Sequence, residues 1–506
     1  SDDAATTPGA DAGATEGGDG STNTDGSQDS TTGGAASGDA STEGDASQDD
    51  ATADDSAADE EQADDADAAA QADGGYPIAN VERLKKVLGE DRVTVDENGT
   101  VTNISFDKDA DLVAISNTDP AVYQSAKMTS KLTGNPYDLC GEKEVATLGK
   151  LTFRGFGSSE YPFEGSYDLA GKELTIDRTL FNAINLTEAN KDVSLIWKGS
   201  DAQPIVAAKV TGNGHELNAN ITVATDSAEL KSPLLGEVAG VMSLKATYSV
   251  QSGGALKKVA IEASSGNVGL LVNTLAESAS LSISELGGAS FAASTIKTTA
   301  EGCNAGGLIG ECASGSTVTI DKAIDLSAFS VIGKAASGGL VGKATNLTLN
   351  ITDGATVKPA RSVGDATSVC SGGVVGDVSF KEGFTVKPNM FDLDEGVTLG
   401  ASQRAGALFG VADISNGDIV VQGGTYKSAL TSGENDSTRG SYGGLVGKVF
   451  ATEKGEDGAL HALVVKKDPD QQGADKNKCT IEFNLASKLY YAGGVVGYVG
   501  DSELPG

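Results

Sequence analysis

The rhythm of apolar and polar positions changes twice along the chain. Residues 1–75 have no apolar periodicity: Asp, Ala, Gly, Ser and Thr follow one another in shuffled order. Such a segment cannot bury enough surface to offset the entropy of ordering, and reads as a disordered, extended acidic linker or stalk. Beyond Tyr76, Val81, Leu84, Val87 and Leu88 fall at helical spacing with Gly89 as a stop, which predicts one amphipathic helix. Val93 to Phe106 then alternates in two runs around Asn98-Gly99, a dipeptide suited to the positive φ angles of a tight hairpin turn. Residues 76–149 therefore read as a small α+β cap or leading domain that covers the open edge of a larger β-patterned body.

From about Lys150 to the last residue, 506, the pattern becomes short alternating runs split by turn residues, and it repeats. Gly306-Gly307-Leu308-Ile309-Gly310 recurs as Gly338-Gly339-Leu340-Val341-Gly342 and as Gly372-Gly373-Val374-Val375-Gly376. It returns as Gly406-Ala407-Leu408-Phe409-Gly410, Gly443-Gly444-Leu445-Val446-Gly447 and Gly493-Gly494-Val495-Val496-Gly497. Gly269-Leu270-Leu271-Val272 and Leu234-Leu235-Gly236 are degenerate relatives. Final glycines are 32, 34, 34, 37 and 50 residues apart. This period is too short for an immunoglobulin-like sandwich, and the glycine and β-branched content resists helix. Strand-like stretches come after the motifs at Ser316 to Asp321, Asn346 to Thr352 and Gly417 to Gln422. The pattern predicts an all-β solenoid over 150–506. Its central apolar pair would form a short buried strand, and its glycines would make corners with φ above zero and let stacked backbones approach closely. The charged insertion Thr452 to Lys478 would project outward.

Charge changes the functional picture. The net charge is -35, from 72 acidic and 37 basic residues, and 21 of the acids sit in residues 1–75, which have no Lys or Arg. Neither part offers the basic surface that a phosphate backbone needs, which excludes nucleic acid as a partner. No apolar run spans a bilayer. The chain opens on Ser1 with no signal peptide, from which we expect a removed leader, and we expect the natural protein to continue past Gly506.

The glycine motif resembles that of GLUG-motif bacterial surface proteins. Gly307-Leu308-Ile309-Gly310, Gly339-Leu340-Val341-Gly342 and Gly444-Leu445-Val446-Gly447 match its Gly-Leu-apolar-Gly core, whereas Gly373 and Gly494 are followed by valine. Phe163 to Asp168 and Gly212 to His215 are similar to the opening coils of such proteins. The resemblance covers about 150–500 and implies a right-handed parallel β-helix in a secreted, adhesin-like surface protein.

Candidate chemistry is sparse. His215-Glu216 lacks the second histidine of a zinc-protease helix, and His461 is the only other histidine. No nucleophile-elbow motif places a serine. Asp392, Asp394 and Glu395 are the acids that a carbohydrate-active β-helix enzyme would use, against a plain reading as a solvated loop. Asp107, Asp109 and Asp111 alternate as in a calcium loop but lack its glycine and distal glutamate. Tyr490-Tyr491 would stack on a sugar ring or pack inside. Cys140, Cys303, Cys312, Cys370 and Cys479 contain no C-x-x-C pair; they read as small buried thiols, with a Cys303–Cys312 bridge as the alternative. No catalytic, cofactor-binding or metal site is expected. The leading reading is a non-enzymatic cell-surface protein that binds a host or environmental glycan or protein. The alternatives are a polysaccharide lyase or hydrolase, and a passive scaffold for a distal domain.

Overall fold

The computed structural model describes residues 80–134, 136–225, 227–431, 440–451, 460–466, 479–485 and 491–500. The acidic segment 1–75, Tyr490 and most of the 452–478 insertion lie outside the described residues. The described ones are mostly β-strand.

The first element is a helix, α1 (Val81–Leu88). Asn80 caps it by accepting the Arg83 N–H at 2.8 Å, Gly89 ends it at φ 114, and Leu84 and Leu88 point into the core. A hairpin comes next, with Val93–Val95 antiparallel to Val101–Phe106. Asp96 Oδ1 accepts the N–H groups of Asn98 (2.9 Å) and Thr100 (2.8 Å), and Gly99 takes φ +80. Asp96 thus closes an Asx-type turn, and Gly99 supplies the positive φ that the hairpin needs. Two short helices, α2 (Asp109–Ser116) and α3 (Pro120–Tyr123), lead to Lys127–Ser130. That strand pairs in parallel with both Val101–Phe106 and Ser166–Asp168, so strand pairing runs across residue 150. Parallel pairing of Tyr137–Asp138 with Leu174–Ile176 also begins before it.

Among the described residues, every strand pair other than two hairpins, the second at Glu142–Val145 and Gly149–Thr152, is parallel. Equivalent strands of successive repeats lie side by side. Val268–Gly269, Ala305–Gly306, Ala336–Gly338, Cys370–Gly372, Arg404–Gly406, Ser441–Gly443 and Tyr491–Gly493 form one seven-stranded sheet. Val272–Leu275, Ile309–Cys312, Val341–Ile351, Val375–Phe380, Phe409–Asp413, Val446–Phe450 and Val496–Val499 belong to a larger sheet. Glu229–Leu230 through Cys479–Leu485 supply a third, of eight strands. Register follows from the apolar alternation. In Glu216–Val223, Leu217, Ala219, Ile221 and Val223 face inward and pair with Leu244, Ala246, Tyr248 and Val250 of the next strand. A slip of one residue would turn all four outward.

The motif glycines meet the expected close approach of backbones but not the expected left-handed corners. None has a positive φ. The first glycine ends a strand of the seven-stranded sheet, the second glycine and the leucine form a bend, and the fourth residue opens the next strand. The central apolar pair therefore straddles a bend and is not a strand of its own. What requires glycine is close approach, in three directions. A Cβ on Gly338 would collide with the Val341 carbonyl of its own bend, and Gly306, Gly372, Gly406, Gly443 and Gly493 meet the equivalent oxygen. A Cβ on Gly339 would collide with Gly373 O of the following repeat; Gly307, Gly373 and Gly444 are blocked in the same way. Gly342, Gly376, Gly410 and Gly447 face the preceding repeat, with carbonyl oxygens at 2.5 Å from the added carbon, and Gly310 and Gly497 likewise face backbone. Gly494, in the last described repeat, has nothing within 4 Å.

One charged column accompanies these strands. Glu311, Lys343, Asp377, Val411 and Lys448 are register neighbours in successive repeats. Glu311 Oε2 accepts from Asn267 Nδ2 at 2.5 Å and Asn304 Nδ2 at 3.2 Å. Burial pushes the Asp377 carboxyl above the ordinary range, and Lys343 and Arg404 pull it back only in part.

Candidate functional site

Where the chain leaves a strand of the larger sheet, or breaks register within one, residues of six consecutive repeats line one cavity of about 550 Å³. Glu277 and Ser278 follow Val272–Leu275; Ser314 and Gly315 follow Ile309–Cys312. Asn346 lies within Val341–Ile351, and Lys381 and Glu382 follow Val375–Phe380. Asn416 follows Phe409–Asp413, and His461 follows Val446–Phe450. Among the described residues, the lining contains no apolar side chain.

The backbone explains why these residue types stand here. Ser278 (φ 56), Gly315 (φ 75) and Asn346 (φ 48) are left-handed, a conformation that Gly and Asn tolerate best. Side chains at and beside these positions then bond across repeats. Asn346 Nδ2 donates to Ser314 Oγ at 3.1 Å, and Asn416 Nδ2 donates to Asn346 Oδ1 at 2.9 Å. The Asn346 N–H donates to Ser379 Oγ at 2.8 Å. At the far end Asp418 Oδ1 accepts the Ala462 N–H at 2.7 Å and lies 3.6 Å from His461 Nδ1. The wall is thus preorganised amide and hydroxyl, with Glu277, Lys381 and Glu382 adding charge.

Other cavities are less continuous. One of about 300 Å³ adjoins at Glu382, with Leu349 and Met390 in its lining. One of about 590 Å³ lies among Asp201, Gln203, Lys231, Glu262 and Ser265, where Glu262 is already paired with Lys297 at 3.5 Å.

The residues singled out in sequence are mostly occupied elsewhere. Asp392 pairs with Lys358 at 3.5 Å, Glu395 pairs with Arg361, and Asp394 is an exposed neighbour whose N–H donates to Asp392 Oδ1 at 3.3 Å. Asp107 and Asp111 are clamped by one guanidinium, each 2.7 Å from Arg92, while Asp109 Oδ1 accepts the Asp138 N–H at 3.0 Å. The place of a cation between the first two is thus filled by an arginine. Burial raises the Asp111 pKa; the Asp107 N–H and Arg92 oppose it. No group of three or more metal-binding side chains occurs among the described residues. His215 follows the Asn213-Gly214 turn and lies 3.1 Å from Glu188 Oε1. All five cysteines are free, so the Cys303–Cys312 bridge is not formed. Burial pushes the Cys312 thiol up to about 12. Leu463–Lys466, inside the insertion expected to project outward, instead adds a parallel strand beside Ile419–Gln422. Tyr491 is placed by its backbone alone, at the start of the last strand of the seven-stranded sheet. The glycines of the motif contribute no lining; Gly315, which does, is not one of them.

Sequence reasoning missed this cavity, although Asn346 and His461 stood in segments it had marked. The available signal was a small polar or glycine residue recurring just after each apolar run: Ser278, Gly315, Asn346, Asn416. Comparison with family models, curated proteins and solved structures finds no match to the chain. Among the described residues, no helix is long and apolar enough to cross a membrane.

Proposed function

We propose that this chain is a non-enzymatic, secreted cell-surface protein, adhesin-like in role, that binds a host or environmental glycan or protein. In this reading the parallel repeats wind as a right-handed β-helix of the kind the GLUG resemblance implies, and the acidic segment 1–75 is its spacer. The observation that carries the reading is the polar cavity across six repeats, with its wall of hydrogen-bonded Ser314, Asn346 and Asn416. Preorganised amides and hydroxyls recognise polar ligands without ordering cost.

The test is binding of the purified chain to arrays of glycans and extracellular proteins, repeated with Lys381→Ala and Glu382→Gln. Both positions are exposed, so the fold should survive. Loss of a specific signal in these variants supports the site; an unchanged signal removes it. A second reading, a carbohydrate-active enzyme, moves away from Asp392 and Asp394 to Glu277 and Glu382, the two carboxylates among the described residues that line this cavity. Release of reducing or unsaturated ends from a polysaccharide, abolished by Glu277→Gln, would replace the binding reading.

A further inference from the structure

From the arrangement of this cavity we infer that its ligand is an extended, β-1,4-linked glycan lying along the stacking direction, about one sugar per repeat. The inference rests on the binding reading above and narrows it to one ligand class and one orientation.

Three observations carry it. The first is direction. The lining comes from six consecutive repeats, from Glu277 to His461, so the long dimension of the cavity runs across the strands. Parallel neighbours lie about 4.8 Å apart, so five steps span roughly 24 Å. A compact ligand would not touch both ends.

The second is period. The polar lining recurs with the repeat: Ser278, Ser314, Asn346, Lys381 and Asn416 come from five successive repeats, and Asn416 bonds Asn346 across the Lys381 repeat. The repeat step is close to the rise of one residue in an extended β-1,4-linked glycan, so successive sugars would fall on successive repeats.

The third is chemistry. Glycan hydroxyls both donate and accept. The lining offers acceptors at Glu277 and Glu382, donors at Lys381, and amides and hydroxyls that do both. An extended peptide is a poorer fit. It would cross the strands at right angles, where β-augmentation is not available, and its side chains would find no apolar pocket in this lining.

The experiment is calorimetric titration of the full chain with β-1,4-linked glucose oligomers and β-1,4-linked N-acetylglucosamine oligomers of increasing length. Each added sugar that gains one net hydrogen bond, about 0.5–1.5 kcal/mol, should tighten binding roughly two- to tenfold. Affinity should rise with length and level off at about six sugars, one for each of the six repeats that line the cavity. Lys381→Ala should weaken the long oligomers and leave the disaccharide almost unchanged. Length-independent affinity would overturn the axial orientation while leaving glycan binding in place. Absence of binding in both series would overturn this ligand class, and the broader reading would then rest on the array result alone.

Discussion

Replacing Gly338 with alanine tests the steric account of the repeat most directly. The added carbon would fall against the Val341 carbonyl, three residues on in the same bend. No side-chain rotation relieves a collision between Cβ and backbone, so the bend itself must open, straining Gly339 N–H···O Gly372 (3.1 Å) and Leu340 N–H···O Val374 (2.9 Å). Overpacking of this kind costs about 1–3 kcal/mol. Alanine restricts the unfolded chain and returns about 0.4–1 kcal/mol. The net loss is therefore roughly 0–2.6 kcal/mol and, because the added carbon meets backbone that no rotamer can move, is expected in the upper half of that range. Gly494→Ala is the matched control, because nothing lies within 4 Å of its added carbon and its φ is not positive. It should be neutral or stabilise by about 0.4–1 kcal/mol. Guanidinium unfolding followed by far-ultraviolet circular dichroism gives the global difference. Repeat arrays also open locally, so hydrogen exchange over residues 336–345 gives the local one. If Gly338→Ala matches the parent in both measurements, close approach is not why glycine stands there.

Further expectations concern titration, thiols and the bonds across repeats. The Asp377 carboxyl holds its proton to higher pH folded than unfolded, because burial raises it above the ordinary 3.8. The folded state then binds the extra proton above that value, so stability falls as pH climbs through the raised pKa. Asp377→Asn removes that slope, and its melting temperature should gain on the parent from pH 3 to pH 7; a constant difference would contradict the assignment. Cys312 and Cys370 are buried with raised pKa values, so iodoacetamide at pH 8 should label the partly exposed Cys303 first and reach those two only on unfolding. Early labelling of Cys370, read by peptide mass, would show that its repeat opens readily. Asn346→Ala should destabilise by roughly 1–2 kcal/mol, because alanine is strained at φ 48 and the Ser314 bond is lost. Asn346→Gly should recover the backbone part and not the rest; if both variants melt alike, the left-handed conformation carries no cost.

Local patterns were legible where one segment carries the whole signal. The apolar spacing of Val81 to Leu88 specified α1, and Asn98-Gly99 specified the hairpin. The glycine period announced repeats whose strands pair in parallel. Two things were hidden. Glycine serves both left-handed φ and close backbone approach, and a sequence cannot say which; at Gly338 it is the second, while Ser278 and Asn346, without glycine's licence, take the first. The cavity was hidden for a different reason. Glu277 and His461 become neighbours of one groove only once the register between repeats is known, and the insertion between Gly447 and Gly497 gave no cue that Leu463–Lys466 would return to the sheet. Paired acids such as Asp392 and Glu395 looked like chemistry in one dimension because their partners, Lys358 and Arg361, sit one repeat earlier.

The parallel register has a mechanical consequence. Hydrogen bonds between repeats point along the stacking direction, so tension in that direction loads one ladder after another like the teeth of a zipper. A repeat pulled free would release about 34 residues, the commonest spacing of the motif. Fully extended, that is roughly 110–120 Å of slack. A tether that yields in such steps dissipates load gradually, and the repeats still stacked would keep their part of the groove intact while their neighbours unravel.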